Sequence, residues 1–284
     1  MAITNFQSEI WSAQLLESLK KSLVFAGPQA VNRNYEGEIA NQGDTVRITS
    51  ISRPTVAAYS KGSTAIVPEQ LTDAQRSLLI DQADYFAFEL DDVDAIQSRN
   101  GGALMTEAAK ESAYALADVA DLYVAGLYTG ADAANKISTT AITTAALAVT
   151  GLVNLKTKLD NANVPNQGRY CIVPPWYHGL LLQSTLFVGF KSSDGQNNDA
   201  LANGRVGHAF GFDILMSNNV TLVTGDDYLV SAGQVGAISF ADQINKVEAY
   251  RPQDAFSDAL KGLHLYGAKL VRPTAVATLT ASMT

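Results

Sequence analysis

Residues 103–129, ALMTEAAKESAYALADVADLYVAGLYT, constrain the fold of this chain more than any other stretch. Leu104, Ala108, Ala115, Leu116, Val119, Tyr123 and Leu127 fall on one helical stripe, and Gly130 supplies a C-terminal stop. About 26 residues at 1.5 Å rise predict a rod of roughly 39 Å, about twice the usual helix length. Around it the signals are strands, turns and shorter helices. There is no alternating strand–helix rhythm of the kind that builds a parallel sheet, and no internal repeat. The fold class predicted is α+β.

Ahead of the rod, Gly43-Asp44 marks a turn, and Val46, Ile48 and Ser50 alternate with Arg47 and Thr49 as in a half-buried strand. Phe86, Phe88 and Leu90 alternate in the same way with Tyr85, Ala87 and Glu89. Between them, residues 52–78 are polar, β-prone and poor in large apolar anchors, which reads as a long two-stranded excursion with its tip near Ser60–Ser63. Excursions of that length are usually functional. Two strands alone are barely stable in water, so this hairpin is expected to lie on another molecule. The N-terminal stretch carries Phe6, Ile10, Trp11, Leu15, Leu16, Leu19 and Val24 at spacings that make an amphipathic helix ending near Gly27-Pro28. So apolar a face needs a partner, either the chain's own domain or a neighbouring subunit.

Behind the rod, residues 137–148 are rich in Ser, Thr and Ala and carry little signal, whereas LVNLKTKLDNANVP reads as a helix. Gly225-Asp226 lies between alternating apolars, a hairpin signature. KVEAYRP and HLYGAKLVRPTAVATL read as closing strands, the last ended by Pro273.

The 284 residues are 47% hydrophobic but only 17% charged. That charged share lies below the usual quarter, as for a surface that becomes buried against something else. A net charge of −8 argues against a dedicated nucleic-acid reader, though not against a container that must not stick to DNA. One cysteine rules out an internal disulfide framework. The start, MAITNFQSEIW, lacks the basic and apolar regions of a signal peptide, and no run is apolar for the roughly 18 residues a bilayer requires. A soluble, cytoplasmically made protein is expected, for which the sequon at Asn219 has no meaning.

Candidate chemistry is sparse. Cys171 in RYCIVPPWYHGLLL, with His178 seven positions on, invites a thiol–imidazole reading. The flanking Tyr170, Ile172 and Val173 favour a small apolar side chain in a core strand that Pro174-Pro175 ends. Glu89, Asp91, Asp92 and Asp94 gather carboxylates without the spacing of a calcium loop, and read as solvated acids at a strand-to-helix junction. Gly204, Gly207 and Gly211 do not match a phosphate-binding loop and suggest a compact turn. His178, His208 and His264 stand too far apart for metal-ligand spacing, and no nucleophile elbow is present.

Ordered blocks nevertheless carry a resemblance. FQSEIWSAQLLESLKKSLVFAGPQAVNRNYEGEIANQGDTVRI looks like the N-terminal arm and first strand of tailed-bacteriophage major capsid proteins. RYCIVPPWYHGLLL is similar to their strand-to-helix unit, GRVGHAFGFDILMSNNV to a later glycine-rich segment, and GAKLVRPTAVATL to their ending. The resemblance spans nearly the whole chain in order. It implies an HK97-like capsid fold: an N-terminal arm (1–37), an E-loop hairpin with flanking strands (38–85), a P-domain with its spine helix (86–154), an A-domain (155–242), and P-domain return strands (243–284).

By that resemblance the chain assembles with itself into pentamers and hexamers of an icosahedral virion shell around double-stranded DNA. The DNA is touched only non-specifically, and neither membrane, cofactor nor catalysis is involved. With no long N-terminal scaffolding segment, either a separate scaffolding protein is implied or the chain is the mature form; a portal and, as an option, a decoration protein are implied as well. Phe6, Ile10, Trp11 and Leu15 are candidates for arm docking, on a neighbour or on the chain's own P-domain. Arg47, Arg53 and Lys61 are candidate hairpin contacts to neighbouring acids. Lys61 invites an isopeptide crosslink, for which the sequence offers no acceptor site. Two alternatives stay open: an encapsulin-type nanocompartment shell and an unfamiliar hydrolase.

Overall fold

A computed structural model describes residues 24–34, 45–51, 54–56, 58, 61, 70, 73–91, 101–184, 207–254 and 256–284. In chain order the strands are β1 (Thr45–Ile51), β2 (Asp73–Leu79), β3 (Gln82–Asp91), β4 (Lys136–Ala141), β5 (Arg169–Val173), β6 (His208–Ala209), β7 (Phe212–Met216), β8 (Leu222–Thr224), β9 (Asp227–Gln234), β10 (Ile238–Tyr250), β11 (Ser257–Leu270) and β12 (Val276–Ser282). The α-helices are α1 (Gly101–Leu127), α2 (Ala145–Asn161) and α3 (Pro175–Gln183). No helix among the described residues is long and apolar enough to cross a membrane.

The predicted rod is α1, 27 residues long, and its last turn tightens into a 3-10 turn at Tyr128–Gly130. Ala113, Ala117, Ala120 and Val124 are buried along it, and side chains this small let its backbone come close to its support. That support includes a three-stranded antiparallel sheet in the order β10–β11–β3. β3 alternates between half-buried and exposed residues along its length, as its sequence requires. Phe86 and Phe88 pack inward, 6.1 Å apart, and Tyr123 of α1 meets Tyr266 of β11 edge-on at 5.6 Å. Opposite Phe86 in register lies Gly262, where a Cβ would come within 2.2 Å of that ring.

A seven-stranded mixed sheet forms the second layer, in the order β4–β12–β9–β5–β7–β6, with β8 pairing to β9. Every residue of β5 is buried. α2 is capped by Thr144, whose Oγ1 accepts from the Leu147 amide at 3.4 Å, and it packs on β12 and α3. Gly151 makes that approach possible, since a Cβ there would lie 2.6 Å from the Tyr177 hydroxyl and 2.9 Å from Leu279. The same hydroxyl donates to the Ala148 carbonyl at 2.6 Å.

Two sequence expectations need correction. Pro273 does not end the last strand. It opens a 3-10 turn at Pro273–Ala275, after which the chain re-enters the structure as β12, between β4 and β9. The amides of Val271 and Arg272 both donate to the Ala237 carbonyl, at 2.8 and 3.0 Å, which fixes the redirection. The low-information stretch 137–148 is also structured, supplying most of the edge strand β4 and the start of α2. The divisions expected after residues 85, 154 and 242 fall inside β3, α2 and β10 respectively.

Candidate assembly surfaces

The structure removes the thiol reading. Cys171 is completely buried in β5, and burial pushes its thiol far above the ordinary range, so the reactive thiolate is suppressed. His178 is buried in α3, and burial lowers its pKa. Glu89 and Asp91 lie on the exposed face of β3, while Asp92 and Asp94 fall outside the described residues. No group of histidine, cysteine or carboxylate side chains among the described residues is arranged to hold a metal. His208 pairs instead with Asp213 at 2.9 Å across the β6–β7 hairpin. Gly207 and Gly211 both have positive φ, as a compact turn needs.

What the fold does build is a pair of anchored roots. The first belongs to the segment following the predicted arm helix. Asp121 of α1 is buried, and its Oδ1 accepts from the successive amides of Val24, Phe25 and Ala26 at 2.9, 2.6 and 3.2 Å. Asn219 donates to Asp118 at 2.6 Å and to Asp121 at 3.1 Å, tying the loop after β7 to the same point. Burial raises the Asp121 pKa, opposed by these hydrogen bonds, which favour the ionised form. Phe25, Ala26, Ala30 and Val31 enter the main core. Asn32 then bridges to β10 in parallel, donating to Ile238 at 2.9 Å and accepting from Phe240 at 3.0 Å. Arg33 completes the seat, 2.8 Å from Asp242 and over the Phe240 ring at 5.1 Å.

The second root belongs to the hairpin. β1 and β2 pair antiparallel from Thr45↔Leu79 to Ile51↔Asp73 and form a sheet of their own. The hairpin's described buried anchors are Leu78 and Ile80, which with Ala241 and Leu265 form a small core separate from the main one. Gly267 permits the closest approach: a Cβ there would stand 2.3 Å from the Leu79 carbonyl oxygen and 3.0 Å from the Ile80 Cα.

Large apolar side chains remain uncovered. Tyr85 is 78% and Phe256 83% exposed, with Tyr250 and Leu263 also outward on or beside the three-stranded sheet. Tyr114, Val119 and Leu122 are exposed on α1. Among the sequence candidates, Lys61 sits exposed in a turn of the excursion, and Arg47 lies on β1 opposite Ser77. Phe6, Ile10, Trp11, Leu15 and Arg53 lie outside the described residues. Sequence reasoning missed Asp121, Asn219, Arg33 and Asp242; the one signal open to it was a carboxylate inside the apolar stretch VADLYV of the rod.

Known proteins share this architecture. A chain solved from Mycobacterium phage Che8 superimposes with a TM-score of 0.73 at 32% identity, over 90% of each chain. The capsid of cyanophage P-SCSP1u matches at 0.69 and 17% identity, covering 92% of this chain and 89% of that one. The mature capsid of bacteriophage PhiM1 matches at 0.65 and 17%, covering 88% and 87%. These last two show the fold alone. No curated protein matches the sequence. The phage capsid protein family model matches residues 74–279, from β2 into β12, and so takes in both sheets and the rod. With that match and the Che8 likeness, this chain belongs to the phage capsid protein family, as a major capsid protein of HK97-like fold.

Proposed function

We propose that copies of this chain form pentamers and hexamers that close an icosahedral shell around double-stranded DNA, with arm and hairpin lapping onto neighbouring copies. The observation that carries this reading is the pair of roots. The arm segment is seated on Asp121 and Asp242, and the hairpin stands on a small core of its own, so the fold invests in holding two extensions. A two-stranded sheet is marginal by itself, and a neighbour's surface is what completes it. Each contact can be weak, because a closed lattice multiplies them.

In this reading α1 and the β10–β11–β3 sheet form the P-domain, and the seven-stranded sheet with α2 and α3 forms the A-domain. β4 and β12 then join the A-domain, which revises the divisions expected from sequence. Phe6, Ile10, Trp11 and Leu15 dock the arm, while Arg47, Arg53 and Lys61 contact acids on adjacent copies. The chain is not an enzyme, a reading that the inert Cys171 supports. It is made in the host cytoplasm and resides in the virion. Assembly uses a scaffolding protein and a portal, with a decoration protein as an optional addition. The net charge of −8 keeps contact with DNA non-specific and weak. The encapsulin alternative gains nothing from a family match to phage capsid protein.

Sedimentation velocity on the chain, expressed alone and with its scaffolding protein, tests this. Shell-sized particles are the predicted outcome, and a monomer or dimer under every condition would contradict it. Particles that fill with a host enzyme rather than accept DNA would favour the nanocompartment.

A further inference from the structure

His264 is an unusual buried group among the described residues. It lies in the middle of β11, the central strand of the three-stranded sheet, and is 1% exposed, with no hydrogen-bond partner at either ring nitrogen. Charged groups approach it from each element around it. Asp242 of β10 places Oδ2 3.9 Å from Nε2, about 1 Å beyond hydrogen-bond reach. Asp84 of β3 is its register partner and accepts from the Tyr266 hydroxyl at 2.7 Å, while the Tyr266 ring itself lies 4.9 Å from the imidazole. Behind that ring, Tyr123 of α1 faces Asp81 at 3.5 Å. Arg33 of the arm root holds the same Asp242 oxygen at 2.8 Å.

One carboxylate oxygen is thus engaged by Arg33 and within a small shift of the imidazole. We propose that His264 is a proton-gated latch on the root of the N-terminal arm: when it gains a proton, it competes with Arg33 for Asp242 and releases Asn32 and Arg33 from β10. The neutral imidazole leaves the Arg33–Asp242 pair undisturbed. The imidazolium adds a second buried positive charge beside the guanidinium, and a movement of about 1 Å lets Nε2–H donate to Oδ2. Asn32 follows Arg33, because its two hydrogen bonds to β10 depend on the same strand placement.

Burial holds the imidazole below its ordinary range, against the pull of Asp242 and Asp84. A histidine with a lowered folded pKa costs nothing above its unfolded pKa of about 6.5, and progressively weakens the seat as pH falls below it. The latch is therefore closed at neutral pH and opens in mild acid.

The inference rests on reading residues 1–37 as an arm, so particle formation is scored by electron microscopy in the same samples, and a flat pH response in intact shells sinks the latch alone. Amide exchange mass spectrometry on the full chain, corrected for intrinsic rates, is followed from about pH 7.5 to 5 across the imidazole range. In the wild type the amides of Asn32 and Phe240, which bond across to each other's segment, should lose protection by about tenfold or more, while those of residues 24–26, held by Asp121, should not. His264→Gln should show no such loss. Exchange at the imidazole C2–H of the wild type gives the His264 midpoint directly, with His178 and His208 as internal references, and needs no variant to fold. The two midpoints should coincide. A wild type with no loss, a loss that persists in His264→Gln, or midpoints that differ would each overturn the latch.

Discussion

At Asp121 a single carboxylate oxygen serves three successive backbone amides, and replacing the residue by Ala strands all three in a buried site. We predict that Asp121→Ala lowers stability by about 3 kcal/mol, since each buried orphan donor costs about 1–3 kcal/mol without full additivity. Asp121→Asn keeps an acceptor and loses less. Thermal unfolding and exchange at residues 24–26 measure both. The ion pair between buried Arg169 and Asp160, 2.6 Å apart, gives a pH prediction. Hydrogen bonds from Lys156 and then Arg169 lower the Asp160 pKa. A lowered carboxylate stabilises the fold above its unfolded pKa of about 4, and the gain disappears as pH falls through the lower folded value. Wild type and Asp160→Asn should therefore differ in melting temperature at neutral pH and converge in strong acid. Cys171 should react with thiol reagents only as fast as the protein unfolds; rapid native labelling would show the strand is not buried. That burial was legible from Tyr170, Ile172 and Val173. The role of Asp121 was not, because its partners lie some 95 residues away in the chain.

Among the elements, those with strong local periodicity were the legible ones. The rod, the alternation of β3 and the hairpin around Gly225-Asp226 all carry their pattern in neighbouring residues. β4 and β12 do not. KISTTA is largely exposed at a sheet edge, and VATLTAS is buried mainly through small side chains, so neither shows a large apolar repeat. Pro273 looked terminal because proline ends strands; here it moves the chain from one sheet to the other. Glycines mark where elements meet most closely. Gly267→Ala would drive a Cβ against the Leu79 carbonyl, which is backbone and cannot rotate away. We expect a cost of about 1–3 kcal/mol, typical of overpacking, together with lost exchange protection in β1 and β2. Gly179 of α3 has open space around it, and Gly179→Ala should be neutral or stabilising by up to about 1 kcal/mol. Equal effects at the two positions would undermine the close hairpin seat.

For the molecule as a whole, the surface it leaves uncovered fits a building block of a shell. Cys171 is buried and inert, while Tyr85, Phe256 and the outer face of α1 leave apolar surface uncovered. A charged fraction of 17% fits a surface meant to be covered, and closed symmetry consumes exposed edges and stripes that would otherwise aggregate. Family and fold were legible in the order of weak sequence blocks. The contacts between copies were not, because they belong to a lattice rather than to one chain. The central claim, that arm and hairpin lap across copies to close the shell, is tested most directly by a cryo-EM reconstruction of particles formed with the scaffolding protein. The account predicts closed shells of five- and six-fold capsomers in which the β1–β2 hairpin and the first 23 residues of each chain rest on other chains. Particles in which both extensions fold back on their own chain, or no closed particles at all, would contradict it.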